Sequence, residues 1–160
     1  MSAELIGAAS ELFRVERWYP GSALVRQIVE IEYILYLFAS DPEEADRWLS
    51  LSPAEAKNYF MPAKMRERSG GKFNADEYSA HCQLGGHPRK NGVPLLSDWM
   101  IVAGKENDEE SIPIAIWMDL YEHTVRSWRH FIEAVGVISP SNYYVDRINE
   151  VETAIEQKYE

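Results

Sequence analysis

The sequence predicts an all-α fold, a single-domain helical bundle of about five to seven helices over residues 1–160 with a buried central helix at 22–39. Three observations carry that expectation. Residues 22–39, SALVRQIVEIEYILYLFA, place Leu24, Ile28, Ile31, Leu35 and Phe38 at helical spacing on one face. Val25, Val29, Tyr33, Tyr36 and Leu37 make the other side nearly as apolar, and a helix that is apolar all round belongs inside a bundle. Second, Pro, Gly and capping residues punctuate the chain at intervals that suit helices. Third, no two segments offer each other strands. The apolar run 95–104 suits either state, and an isolated strand there has no partner.

In chain order, the first helix is expected over about 3–18, with Leu5, Ala8, Leu12 and Val15 as its stripe and Pro20-Gly21 as its stop. Ser22 then caps the central helix. Ser40-Asp41-Pro42-Glu43-Glu44 restarts a helix over 42–50, with Pro at N1 and acids in the first turn. Ser52-Pro53-Ala54-Glu55 repeats the device and starts a helix running to about Arg68, closed by Ser69-Gly70-Gly71. Asn74 or Asp76 caps a helix over about 75–84, ended by Gly85-Gly86, and 87–94 reads as a loop. The longest helix is expected over about 108–136, with its start slipping to 111 to keep Pro113 in the first turn. Its seam is Ile114, Met118, Tyr121, Val125, Trp128, Ile132 and Val135, and Gly136 ends it. A last helix covers about 141–158.

Composition narrows the function classes. The 46% apolar fraction, with five Trp, nine Tyr and five Phe, belongs to a folded chain. A single Cys82 excludes an internal disulfide framework and fits a reducing, cytoplasmic setting. No apolar run approaches the roughly 20 residues of a membrane span, so no membrane partner is expected. The net charge of −10 argues against general nucleic-acid coating, but it is uneven. Residues 57–90 carry Lys57, Lys64, Arg66, Arg68, Lys72, Arg89 and Lys90 against three acids. That segment reads either as a solvated linker or as a patch for an anionic ligand or an RNA phosphate.

Two sets of polar residues stand out. Arg26 and Glu30, one turn apart on the apolar helix, form an ion pair. Near them in this reading stand Tyr78, His81 and His87, with Glu77 one turn before His81. The second set is Asp119, His123, Arg126 and His130, a line on the long helix away from the apolar seam, whose ordinary reading is a solvated polar face. No Glu-x-x-His occurs, so a di-iron bundle is not expected. His81, His87 and Glu30 reach a zinc ligand count only if the fold happens to gather them, so neither metal nor cofactor is expected. No G-x-S-x-G elbow supports a serine hydrolase.

Arg26 and Glu30 in LVRQIVEIEYILYL, Asp41-Pro42-Glu43 at the restart, and Tyr78, Ser79 and His81 in YSAHC resemble a bacterial all-helical family with R-x-x-x-E and Y-S-x-x-H motifs. That family is similar in outline to the HEPN helical bundles, many of which are dimeric endoribonucleases of toxin and phage-defence systems. The HEPN motif is Arg, four to six residues, then His. Here Arg126 and His130 are separated by three. The first expectation is therefore a non-enzymatic binding or interaction module that acts as a homo-oligomer or with a protein partner. The alternative is a HEPN-like endoribonuclease or nucleotide-binding protein, in which a histidine moves a proton and an arginine offsets phosphoryl charge.

Overall fold

The computed structural model describes residues 1–96 and 111–138, together with Asp146 and Thr153. The bundle is all-α, and no strand occurs among the described residues. Its helices are α1 (Ser2–Arg14), α2 (Trp18–Ser40), α3 (Pro42–Ser50), α4 (Pro53–Tyr59), α5 (Pro62–Arg68), α6 (Ala75–His81) and α7 (Ser111–Ile138). A π turn at Cys82–Gly86 and a 3₁₀ turn at Lys90–Leu95 follow α6. None of the described helices is long and apolar enough to cross a membrane. The expected last helix, apart from Asp146 and Thr153, and the ambiguous run 95–104 beyond Leu96 lie outside the described residues.

The central helix is where the sequence put it. α2 packs against α1, α3, α5, α6 and α7, and between Gly21 and Ala39 only Gln27 is exposed. Val25, Ile28, Val29, Tyr33 and Leu37 join Phe13 of α1, Met65 of α5 and Leu120 of α7 in one core. Tyr33 stacks on Phe73 at 4.0 Å between ring centres. Burial of these large side chains, each about 1.5–3 kcal/mol, is the main force gathering the helices.

Several boundaries moved, each for a local reason. α1 stops at Arg14, and Pro20-Gly21 lies inside the first turn of α2 rather than ending α1. Proline is tolerated there because first-turn amides have no intrahelical acceptor to lose. The break falls instead at Val15–Arg17, where Glu16 takes a left-handed φ of 59°. Arg17, not Ser22, occupies the N-cap of α2. Asp41 caps α3 by accepting from the Glu43 amide at 3.0 Å, and Ser52 with Glu55 forms a complete capping box on α4. The helix expected to continue to Arg68 breaks at Phe60–Met61, since Pro62 cannot donate into a continuous ladder and starts α5 instead. Gly70 and Gly71 close α5 with φ of 63° and 89°, where a side chain would be strained. α6 ends at His81, and the backbone passes into the π turn whose Gly85 lies against α2. Part of the expected 87–94 loop is the 3₁₀ turn. α7 runs two residues past Gly136.

The largest correction concerns the face of α7 that turns inward. Of the expected apolar seam, Ile114, Met118 and Tyr121 are exposed, Ile114 by 63%. The buried line is Leu120, His123, Ser127, His130 and Ala134. The stripe read as a solvated polar face is in part the packed one, because Glu32 on α2 supplies a buried partner for it.

Candidate metal centre

α2, α6 and α7 each bring one turn to a common point. On α6, Asn74 accepts from the Asp76 amide at 2.8 Å and fixes the start of the helix. That sets Glu77 and His81, four residues apart, on the side facing α7. On α7 the same spacing aligns Asp119 with His123. Glu32 comes from the opposite wall, on α2.

His123 is the hub. Its side chain is 2% exposed, and its Nδ1 lies 2.6 Å from Glu32 Oε2, whose side chain is 1% exposed. Its Nε2 lies 3.1 Å from His81 Nε2. Asp119 reaches both rings, with Oδ1 at 3.6 Å from His123 Nε2 and Oδ2 at 3.5 Å from His81 Nδ1. Glu77 Oε1 stands 3.8 Å from His123 Nε2 and accepts from Arg126 Nη1 at 2.7 Å. The other terminal nitrogen of Arg126 donates to Glu122 at 3.1 Å. The Asp119 side chain is 40% exposed, so the cluster is closed on the α2 side and open past Asp119, Glu77 and Arg126.

The two imidazoles are driven apart in basicity. Burial works to lower His123, but the Asp119 and Glu32 carboxylates outweigh it and raise the ring to about 9. Burial lowers His81, the neighbouring charged His123 adds to this, and Asp119, Glu77 and Glu32 only partly oppose it. Without a metal, the pair therefore carries one positive charge, on a doubly protonated His123. Its Nδ1–H donates to Glu32 and its Nε2–H to the neutral His81. Tyr33, on α2 beside Glu32, is 1% exposed and its hydroxyl has no hydrogen-bond partner among the described residues. Burial pushes its pKa to about 12; Glu77 and Glu32 add to that push, and Arg66 and Arg126 oppose it. That hydroxyl thus stands within electrostatic reach of the cluster as a buried donor.

The chain matches no protein-family model, no curated protein and no solved structure.

The cluster fits a divalent cation. One nitrogen from each imidazole and one Asp119 oxygen lie within 4.8 Å of one another. Two imidazole nitrogens bound to one zinc-class ion at about 2.0–2.1 Å stand about 3.0–3.4 Å apart, and the Nε2 pair is at 3.1 Å. Glu32 on His123 Nδ1 is the outer carboxylate that holds such ligands in the right tautomer with the free nitrogen aimed at the ion. Three carboxylates, Glu32, Asp119 and Glu77, surround the rings; Arg126 pairs with Glu77 and is shared with Glu122.

The structure therefore joins parts of both sets read from the sequence and separates the rest. His81 leaves the first set to meet Asp119 and His123 of the second, whose Arg126 reaches the cluster through Glu77. Arg26, Glu30 and Tyr78 form their own half-buried triad: Arg26 Nη1 donates to Glu30 at 2.9 Å and to Tyr78 at 3.3 Å, and the Tyr78 hydroxyl donates to Glu30 at 2.8 Å. His87 is exposed, and its carbonyl accepts from Tyr19 at 3.4 Å. His130 lies two turns beyond His123, against Tyr36 and with Nδ1 3.0 Å from Glu133. The basic segment is not one open patch: Arg66 stacks over Tyr78, and Arg68 over Tyr59. Glu32, a buried charge on the apolar helix α2, completes the cluster. Glu77 belongs with His81 as the sequence spacing placed it, whereas Glu32 lies outside both sets. The available signal was a carboxylate-x-x-x-His pair on each of two helices, Glu77/His81 and Asp119/His123.

Proposed function

We propose that this protein is a metal-binding helical bundle in which His81, Asp119 and His123 hold one zinc-class divalent ion and Glu32 orients His123. The single observation that carries this reading is the arrangement of His123. Its Nδ1 is bound by a sealed carboxylate at 2.6 Å, while its Nε2 and that of His81 converge at 3.1 Å beside Asp119. Three protein ligands with one open side is the pattern of sites that keep a position for water or a ligand. The binding-module reading of the sequence thereby acquires a concrete ligand. The HEPN-like ribonuclease reading draws less support from the geometry, because its arginine and histidine are already engaged, Arg126 by Glu77 and Glu122 and His130 by Glu133.

Chelator-treated protein titrated with Zn²⁺ by calorimetry is expected to bind one equivalent. Co²⁺ in its place is expected to give the visible absorption of a four-coordinate site. His123→Ala and His81→Ala should each lose at least about 10-fold in affinity, and Glu32→Gln about 10–100-fold, as outer partners of metal ligands do. Binding that is unchanged in both histidine variants would overturn the assignment.

A further inference from the structure

Resting on that reading, we infer that the loaded site is hydrolytic toward neutral acyl compounds, esters or amides, with Glu77 as the general base on a metal-bound water. Glu77 is the carboxylate placed for this. It is 3.8 Å from the nitrogen of His123 that faces the ion, outside the group formed by His81, Asp119 and His123, and on the open side of the cluster. Arg126 holds it there at 2.7 Å, so its position does not depend on the ion. A carboxylate within reach of a metal-bound water is the usual proton acceptor in single-metal hydrolysis.

The step balances within the named groups. With the ion bound, Glu77 would take one proton from the water at the open position, whose oxygen would bond to the acyl carbon as the carbonyl π pair moves onto the carbonyl oxygen, where the ion would offset the charge. The bond to the leaving alcohol or amine then breaks, and Glu77 returns the proton to that group. The result is addition of one water, with no change of oxidation state. Charge selects the substrate class. Glu32, Asp119 and Glu77 are offset by Arg126 and a divalent ion, and exposed Glu122 already shares Arg126. A neutral carbonyl compound leaves that balance unchanged, whereas a phosphate ester brings further negative charge against three carboxylates.

The test uses the full chain reconstituted with Zn²⁺, with p-nitrophenyl acetate and p-nitrophenyl phosphate as probes and zinc affinity measured in parallel by competition with a chromophoric chelator. Wild-type protein is expected to hydrolyse the acetate, and zinc removal should abolish that activity. Glu77→Gln is expected to lower kcat by about 10²–10⁴-fold with zinc affinity within about threefold of wild type. If zinc binds and acetate turnover is equal in wild type and Glu77→Gln, the hydrolytic inference fails and the metal reading stands. If Glu77→Gln loses zinc as well, Glu77 is a ligand and its role as base is overturned. Preferential cleavage of the phosphate overturns the acyl class. If wild-type protein takes up no zinc, the metal reading falls and the inference with it.

Discussion

At the scale of single residues, the decisive feature is that Glu32 and His123 satisfy each other out of water. An unpaired charge in that setting costs several kcal/mol, so each is tolerable only because the other is there. The proton on His123 makes the metal-free protein sensitive to pH with a definite sign. Its folded pKa of about 9 stands above the ordinary 6.5. The stability it contributes is therefore fully present below about pH 6.5 and is lost as pH rises toward 9. His81 is lowered, so its contribution runs the other way and is lost as pH falls below its ordinary value. Urea unfolding of chelator-treated protein across this range should show wild type losing stability between pH 6.5 and 9, and His123→Gln showing a much flatter profile. Equal profiles would mean that the Glu32–His123 pair carries no net proton.

At the scale of elements, the approach of the segment after α6 to α2 brings His81 to its place, and two glycines differ sharply in what they permit. A Cβ on Gly85 would stand 2.4 Å from the Ala23 backbone nitrogen and 2.5 Å from the Ser22 carbonyl carbon. Neither atom can turn aside as a side chain can. Gly85→Ala is expected to cost about 1–3 kcal/mol, the range of overpacked sites, and to weaken zinc binding by shifting the end of α6. Gly7, on the exposed side of α1, has nothing within 4 Å of its Cβ position. Gly7→Ala should instead stabilise by about 0.5–1 kcal/mol, because it removes backbone freedom from the unfolded chain and raises helix propensity. Thermal unfolding of the two variants, side by side, reads both signs. Pro62 makes the complementary point about breaks: it divides what the capping signal at Ser52 would have continued, so a start signal alone does not set a helix length.

At the scale of the whole molecule, the three ligands come from two helices far apart in sequence, and their orienting carboxylate comes from a third. Metal binding is thereby linked to the docking of α6 and α7 on α2. An ion that binds only the assembled bundle stabilises it by mass action, about 2.7 kcal/mol at a hundredfold excess over Kd. Hydrogen exchange followed by mass spectrometry should show Zn²⁺ slowing exchange together in α6 and in the middle of α7, with little change in α3 and α4. Protection spread evenly over all helices, or confined to one, would argue against a site shared by α6 and α7.

What the sequence determined by itself is the bundle and its centre. The all-round apolar character of 22–39, the Asp41-Pro42 and Ser52-Pro53 starts and the Asn74 cap are local signals, written by propensity, spacing and capping chemistry over a few residues, and the helices appear where those signals stand. The Arg26–Glu30 pair was readable for the same reason, since residues one turn apart meet within a single helix. Which face of α7 turns inward was not readable. Hydrophobicity favoured Ile114, Met118 and Tyr121, yet His123 is buried, because the Glu32 carboxylate on α2 outweighs local apolarity and no spacing rule reports a partner 91 residues away; His130 is buried two turns on, against the Tyr36 ring. The same holds for the site. Each carboxylate-x-x-x-His pair lay in plain view on its own helix, but only the packing of α2, α6 and α7 decided that two of them face one point and that His87 and Glu30 do not.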